Sequence, residues 1–304
     1  MISHNAIGME SDIEHLLEKS LLNMDKAQIR AWMKYQFDPS SMFCIIEDNQ
    51  VVSCLQIKRR IMSINKEKNT VALITMAATL PDYRQRGYFS NLLEASLNQA
   101  NQNDLVTLLY TTFPKLFECR SFQTIQKTKS YWIPSTKVNK GNDKLVHTLT
   151  KDMQLYPVYT TFMSHFDGSV FYTKTEFEKL IQYHQQSGKK IIVCFNDKKE
   201  ITGFAIYRIT NGYAKIEILI YLNAQTIYNL LRFLSIRCNS ITFIVSENER
   251  FEKLFPLDYP RIQGYVLSRL NNYKLYSKWT GHDIRNISQA YNELEKPCWN
   301  HFIA

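Results

Sequence analysis

The chain has 304 residues, 45% hydrophobic and 21% charged, with a net charge of +9. That length suits two ordinary cores rather than one, and the composition excludes a disordered or fibrous chain. The charge excess sits mostly in the second half, +7 over residues 136–304 against +2 over 1–135, yet no basic run exceeds Lys58-Arg59-Arg60 and no aromatics interleave it, so the expectation is a solvated basic face and not a nucleic-acid interface.

The first elements read as two helices. Asp12 opens one through Ile13, Leu16 and Leu17, and Asp25 opens another through Ile29, Trp32, Met33 and Tyr35, ended by Pro39. Glu10, Asp12 and Glu14 stand where a signal peptide is apolar, and no apolar run approaches the ~18 residues of a membrane helix, so the expected setting is cytoplasmic and off the membrane. Met42–Glu47 and Val51–Ile57 flank Asp48-Asn49-Gln50 as a tight hairpin, with Arg60–Ile64 extending the second strand and Lys66–Asn69 as a polar turn. Val71–Leu80, bounded by Pro81, is a buried strand. Ser90–Ala100 is an amphipathic helix, Leu105–Tyr110 a second buried strand, Pro114 to Phe117 a helical piece, and Tyr131-Trp132-Ile133 a closing strand.

Residues 136–149, with Gly141-Asn142-Asp143, read as a linker. Helical patterns follow at Val158–Phe166 and Thr175–Gln186, then strands Ile191–Asn196 and Ile201–Thr210. An Asn211-Gly212 turn leads to strand Tyr213–Tyr221, a helix capped by Asn223 and strand Ile241–Val245. Helix–helix–hairpin–strand–helix–strand thus occurs twice. The expected fold is α/β (α+β), two tandem units at 1–135 and 150–270 with mixed, mostly antiparallel sheet flanked by helices, and an extension over 271–304. The six cysteines are scattered, mostly among apolar neighbours, and read as thiols; with the unpaired histidines, expected at the surface or in caps, they offer no metal site.

The stretch richest in chemistry is Thr79-Leu80-Pro81-Asp82-Tyr83-Arg84-Gln85-Arg86-Gly87-Tyr88-Phe89-Ser90, between a buried strand and an amphipathic helix. A helix N-terminus leaves N–H groups unpaired and carries partial positive charge, which suits a diphosphate. Gly87 removes a Cβ that would stand between backbone and ligand, and Arg84 and Arg86 add charge. Arg84-Gln85-Arg86-Gly87 resembles the acyl-CoA loop [QR]-x-x-G-x-[GA] of the GNAT acetyltransferase superfamily, with Phe89 where that pattern has Gly or Ala. Pro81, Arg84, Arg86, Gly87, Tyr88 and Phe89 together resemble the enhanced-intracellular-survival (Eis-like) branch, as does Leu109-Tyr110-Thr111-Thr112-Phe113. Those proteins have two GNAT units and then a sterol-carrier-like domain, for which the residues after Leu270 are too few.

That resemblance implies acetyl-CoA as co-substrate, with Ala77, Ala78 and Thr79 offering strand backbone to the pantetheine arm. Gln85, Arg86, Gly87, Tyr88, Phe89 and Ser90 would hold the pyrophosphate, and Thr112 and Phe113 would lie near the thioester. It implies a small-molecule or peptide amine as acceptor, in a pocket between the first two helices and the second unit, and leaves a homo-oligomer open. The second unit, where Tyr221-Leu222-Asn223 joins strand to helix without Gly or Arg, should bind no CoA.

Acetyl transfer to an amine needs a deprotonated nucleophile and a protonated or stabilised leaving thiolate. The resemblance places a tyrosine acid at Phe117 and a C-terminal carboxylate base at Ala304; a phenyl ring donates no proton, and Ser121 stands where the family has Gly. Val71–Leu80 contains no acidic residue, so the glutamate base of other GNAT enzymes is missing. Tyr110 is the candidate acid in its place, with Cys119 and Glu118 as further possibilities. The expected function is an N-acetyltransferase, with a non-catalytic CoA-binding or interaction protein and an aminoacyl-tRNA-dependent transferase as alternatives.

Overall fold

A computed structural model describes residues 1–64, 67–255 and 259–301. After β1 (Ile2–Ser3), helix α1 (Glu10–Ser20) begins two residues before the expected Asp12 and buries Ile13, Leu16 and Leu17. Asp25 does cap α2 (Lys26–Tyr35), in a reciprocal box: its carboxylate accepts from Gln28 N at 2.9 Å and its own N–H donates to Gln28 Oε1 at 2.8 Å. Asp48 and Asn49 both take left-handed φ (47° and 64°), the geometry that turns β2 (Met42–Glu47) directly into β3 (Gln50–Ile64). β3 pairs along its length with β4 (Glu67–Thr79), so 67–69 are strand rather than the expected turn; Lys66 lies outside the described residues. Helix α3 (Tyr88–Asn103) crosses over to β5 (Val106–Thr111), followed by α4 (Lys115–Glu118) and β6 (Gln123–Pro134).

The order then recurs. β7 (Val146–Thr148), α5 (Tyr156–Met163), β8 (Ser169–Phe171) and α6 (Lys174–Gln186) precede the meander β9 (Lys190–Phe195), β10 (Ile201–Thr210) and β11 (Tyr213–Tyr221). Asn211 and Gly212 supply the two left-handed residues of its second turn (φ 51° and 78°). Helix α7 (Ala224–Ser235), whose Thr226 N–H is capped by Asn223, crosses over to β12 (Ser240–Ser246). β13 (Arg261–Leu270), α8 (Tyr273–Thr280) and α9 (Ile287–Asn292) complete the chain.

All strands among the described residues join one mostly antiparallel sheet of order β1-β2-β3-β4-β5-β13-β6-β12-β11-β10-β9-β7, with β8 added to β3. β4/β5 and β11/β12 pair in parallel, each spanned by its crossover helix. The halves interleave at the centre, for β13 lies between β5 and β6, and β6 in turn pairs with β12. Gly264 makes the first of these contacts possible, because a Cβ there would overlap the Tyr110 hydroxyl.

Three expectations are corrected by packing. The polar 136–149 stretch is not a free spacer: β7 pairs with β9, Val138 and Val146 are buried, and a Cβ on Gly141 would overlap the Tyr228 carbonyl of α7. Of the expected extension over 271–304, the described part belongs to the core, where Tyr276, Ile284, Ile287 and Trp299 join Tyr159 and Phe162. Two histidines assigned to surface or caps, His184 and His301, are buried, and burial holds both below their ordinary pKa, His301 down to about 4. No described helix is long and apolar enough to cross a membrane.

Candidate functional site

β4 carries one residue more than β3 can match. Gln56 faces Met76 and Ile57 faces Ile74, which leaves Thr75 as a bulge. Parallel pairing of β4 with β5 stops at the same level, with Ile74 opposite Leu109 its last pair. Beyond it β4 stays on β3 as far as Thr79 opposite Ser53, and β5 stays on β13 as far as Thr111 opposite Tyr265. The two strands therefore part, and a wedge opens between the backbones of 75–79 and 110–111. The bulge is pinned from behind: Gln56, fully buried, donates from Nε2 to Thr75 Oγ1 (2.8 Å) and to Gln36 O (3.2 Å) and accepts from Asp38 N (2.7 Å).

The α3 N-terminus stands at the mouth of this wedge. Gly87 is its cap residue at φ 77°, and no side chain caps the helix. Gln85 is also left-handed (φ 64°), so the loop turns sharply twice in three residues. A Cβ on Gly87 would meet nothing within 4 Å, so the position is open and asks for glycine through its backbone conformation. Both arginines are anchored to protein. Arg84 donates to Thr79 O and Ser20 O, each at 3.3 Å, tying the loop to β4 and α1. Arg86 donates to Asp82 O (3.0 Å), lies 4.7 Å over the Tyr83 ring and pairs with Glu47 at 3.8 Å. Tyr88 donates its hydroxyl proton to the same Glu47, a bond that raises the phenol above its ordinary pKa. Glu47 as organiser of the loop is invisible in sequence, since it lies some forty residues away on β2.

The remaining expected residues spread around the wedge. Ala78 is buried; Ala77 and Thr79 are half-buried, and Thr79 Oγ1 lies 2.8 Å from Ser53 Oγ. Gln85 and Arg86 are exposed, while Tyr88 and Phe89 pack on the first-half core and Ser90 is half-buried. Thr112 and Phe113 follow β5 at the surface, Phe113 at 68% exposure with Leu116 at 60% beside it in sequence, an unusual display of apolar surface next to the wedge. Phe117 is buried against Phe89 and Phe122. Tyr110 is separated from it: strand alternation sends it to the face opposite Leu109, where it packs on the other core and against Gly264. The base that the resemblance places at Ala304 lies outside the described residues, and β4 carries no carboxylate over 71–79.

The second half repeats the wedge without the loop. Ile206 faces Ile218 and Tyr207 faces Ile216, so Glu217 is a bulge, and parallel pairing of β11 with β12 ends at Ile216 opposite Phe243. The chain's own tail occupies this place. His301 Nε2 bonds to Glu217 O, and Trp299 Nε1 donates to Glu249 (3.0 Å), whose other oxygen accepts from Tyr221 at the end of β11 (2.8 Å). Lys189 pairs with the Glu217 carboxylate. Among the described residues no group of three His, Cys, Asp or Glu side chains could hold a metal ion.

Residues 8–119 match the family described as acetyltransferase (GNAT) domain. Comparison with curated proteins gives no match. Among solved structures, a GCN5-related N-acetyltransferase from Anabaena variabilis superposes with a TM-score of 0.71 at 14% identity, over 90% of this chain and 73% of that one. Eis1 from Mycobacterium abscessus gives 0.63 at 10%, over 91% and 75%. Saccharomyces cerevisiae N-myristoyltransferase with bound myristoyl-CoA gives 0.62 at 11%, over 89% and 82%. At such identities the likeness is one of fold. Residues 8–119 thus carry both the sequence pattern and the fold of a GNAT acetyltransferase domain.

Proposed function

We propose that the chain transfers an acetyl group from acetyl-CoA to an amine and binds one acetyl-CoA, in the wedge between β4 and β5. The observation that carries this reading is the coincidence of the Thr75 bulge, the parting of the two parallel strands and an uncapped helix N-terminus at their mouth. Backbone of Ala77 to Thr79, no longer bonded to β5, would hold the pantetheine amides. The N–H groups from Gln85 to Ser90 would hold the diphosphate, and Phe113 would cover the thioester end. The similarity to a structure that contains myristoyl-CoA supports a CoA thioester as the donor.

In the reaction the amine nitrogen attacks the thioester carbon, the C–N bond forms as the C–S bond breaks, and one proton passes from the amine to the sulfur. Held amine and thioester account for much of the rate when the amine arrives neutral. A proton donor at the sulfur would add to it. The side chain at the expected place is the hydrocarbon Phe117, which favours a second reading: a domain that binds acetyl-CoA without turning it over.

The second wedge should stay empty of CoA, because Trp299 and His301 fill it and Asn223 caps α7. Calorimetric titration of the full chain with acetyl-CoA should give one site, and amines should then release thiol. A stoichiometry of two, or no binding at millimolar acetyl-CoA, contradicts the proposal; binding without thiol release from any amine selects the second reading.

A further inference from the structure

A polar notch of about 300 Å³ interrupts the outer edge of β3. β2 leaves β3 at Gln56, β8 joins it at Ile61, and among the described residues no strand pairs with the outer edge between them. The notch is lined chiefly by Asp38, Ser40, Ser41, Lys58, Arg59 and Arg60; Arg59 pairs with Asp104 and Arg60 with Glu176, each at 2.9 Å. Asp38 is already satisfied by Ser40 N, Ser40 Oγ and Ser41 Oγ at 3.1, 2.7 and 2.6 Å. Arg59 is satisfied as well, by Asp104, Thr70 Oγ1 and Asn103 O, whereas Lys58 and Arg60 keep unused donors. Lys58 is buried and donates to Gln36 O, which leaves ammonium protons unused. The Arg60 side chain is nine-tenths buried; its Nη1 serves Glu176 (2.9 Å), while its Nε is buried with no partner among the described residues. Burial and the neighbouring Arg60 push the Lys58 amine down to about 8. Buried cationic donors left unmet at the wall of an open notch suit an anion as their partner.

The notch is linked to the wedge. Lys58 Nζ and Gln56 Nε2 share the Gln36 carbonyl, and Gln56 Nε2 also holds the bulge residue Thr75. Lys58 lies opposite Leu73, two residues before that bulge.

We propose that the notch binds an oxyanion, carboxylate or phosphate, carried by the amine acceptor, with Lys58 and Arg60 as its donors. The acceptor class is then a short amine with an anionic far end, and the inference rests on the acetyl-transfer reading above. The test uses the full chain saturated with CoA, so that the α3 loop is filled, and compares butylamine, 4-aminobutyrate and 3-aminopropyl phosphate by calorimetry and by turnover with acetyl-CoA. One or both anionic amines should bind at least about tenfold more tightly than butylamine, and which one does so distinguishes carboxylate from phosphate. Lys58→Met and Arg60→Gln should each abolish that preference while leaving butylamine and CoA affinities within about twofold. Lys58→Arg, which keeps the charge, should retain part of it and shows that the loss is not misfolding. Equal affinity for all three amines, or a preference that survives both substitutions, overturns the proposal. Should acetyl-CoA fail to bind, the acetyl-transfer reading fails, and the same titrations of the uncomplexed chain still decide the notch.

Discussion

Phe117 meets Phe89 edge to face, ring centroids 5.8 Å apart at 88°, and meets Phe122 at 5.8 Å and 75°. Phe89 stands where the general GNAT loop pattern has Gly or Ala, Phe117 stands where the Eis-like resemblance places a phenol, and the two rings are in contact. A larger residue at 89 brings apolar surface toward α4, and a phenyl at 117 gives that surface an apolar partner.

Phe117→Tyr adds one oxygen to a buried ring of the same outline, so the fold should hold at a cost of about 1–3 kcal/mol where the new hydroxyl finds no partner, and less where it does. If the acyl sulfur comes within reach of this position, the restored phenol should raise turnover with a good amine by about 100-fold. Tyr110→Phe is the companion measurement, since Tyr110 lies on the opposite face of the sheet. A loss there with no gain at Phe117→Tyr moves the acid to Tyr110. No effect of either, with no amine acetylated, leaves acetyl-CoA binding as the domain's role.

Gly87 can be tested at two levels, because its φ of 77° and its empty surroundings separate backbone strain from ligand contact. Asn enters the left-handed region readily, whereas a β-branched residue does not. Gly87→Val should lower stability by about 1–2 kcal/mol and weaken acetyl-CoA sharply. Gly87→Asn should leave stability nearly unchanged and still weaken acetyl-CoA, because a side chain then projects into the space the diphosphate would use. Unchanged acetyl-CoA affinity in Gly87→Asn would remove this loop from the binding site.

Most elements were legible in sequence because their signals are local: the Asp25–Gln28 box, the Asp48-Asn49 and Asn211-Gly212 turns, the Asn223 cap. The wedge was legible only through the loop that faces it. A bulge is a one-residue mismatch between two strands, so neither β3 nor β4 alone could reveal Thr75, and the same holds for Glu217. The insertion of β13 between β5 and β6 is likewise a long-range pairing. His184 could have been found, since it continues the buried Phe177–Leu180–Ile181 face of α6 at helical spacing. His301 could not, because the tail that buries it is held by contacts from β6, β8 and β11.

Ser121 occupies the left-handed region at φ 62°, where the family pattern has glycine. Ser pays a Cβ clash there that glycine avoids, while glycine gives back part of the gain through greater freedom in the unfolded chain. Ser121→Gly should therefore stabilise by roughly 0.5–1 kcal/mol, a rise of about 1–3 °C in Tm for a chain of this size. A fall in Tm would mean that the Ser121 side chain contributes more than its backbone costs.

Glu249 makes stability depend on pH in a direction that can be stated beforehand. It is buried, and its carboxylate accepts from Ser246 N (2.7 Å), Trp299 Nε1 (3.0 Å) and Tyr221 Oη (2.8 Å), none of them charged. Burial raises its pKa from 4.5 to about 7, so the folded state prefers the protonated acid. Stability from this group is complete below about 4.5. It declines as pH rises, because the unfolded chain releases this proton first, and the loss levels off above about 7 at roughly 3 kcal/mol. His184 and His301, both held below their ordinary pKa, act oppositely and destabilise as pH falls, so the wild-type profile alone mixes the two. Glu249→Gln isolates the term. A Gln oxygen can accept from Ser246 and Trp299 while its amide donates to the Tyr221 oxygen, matching the neutral acid without a titration. The difference in Tm between Glu249→Gln and wild type should be small at pH 4.5, grow through pH 6 and plateau near pH 8 in favour of the variant. A difference that is flat, or that grows toward acid, would show that Glu249 is ionised in the fold and that the Trp299 tail is held by a buried charge.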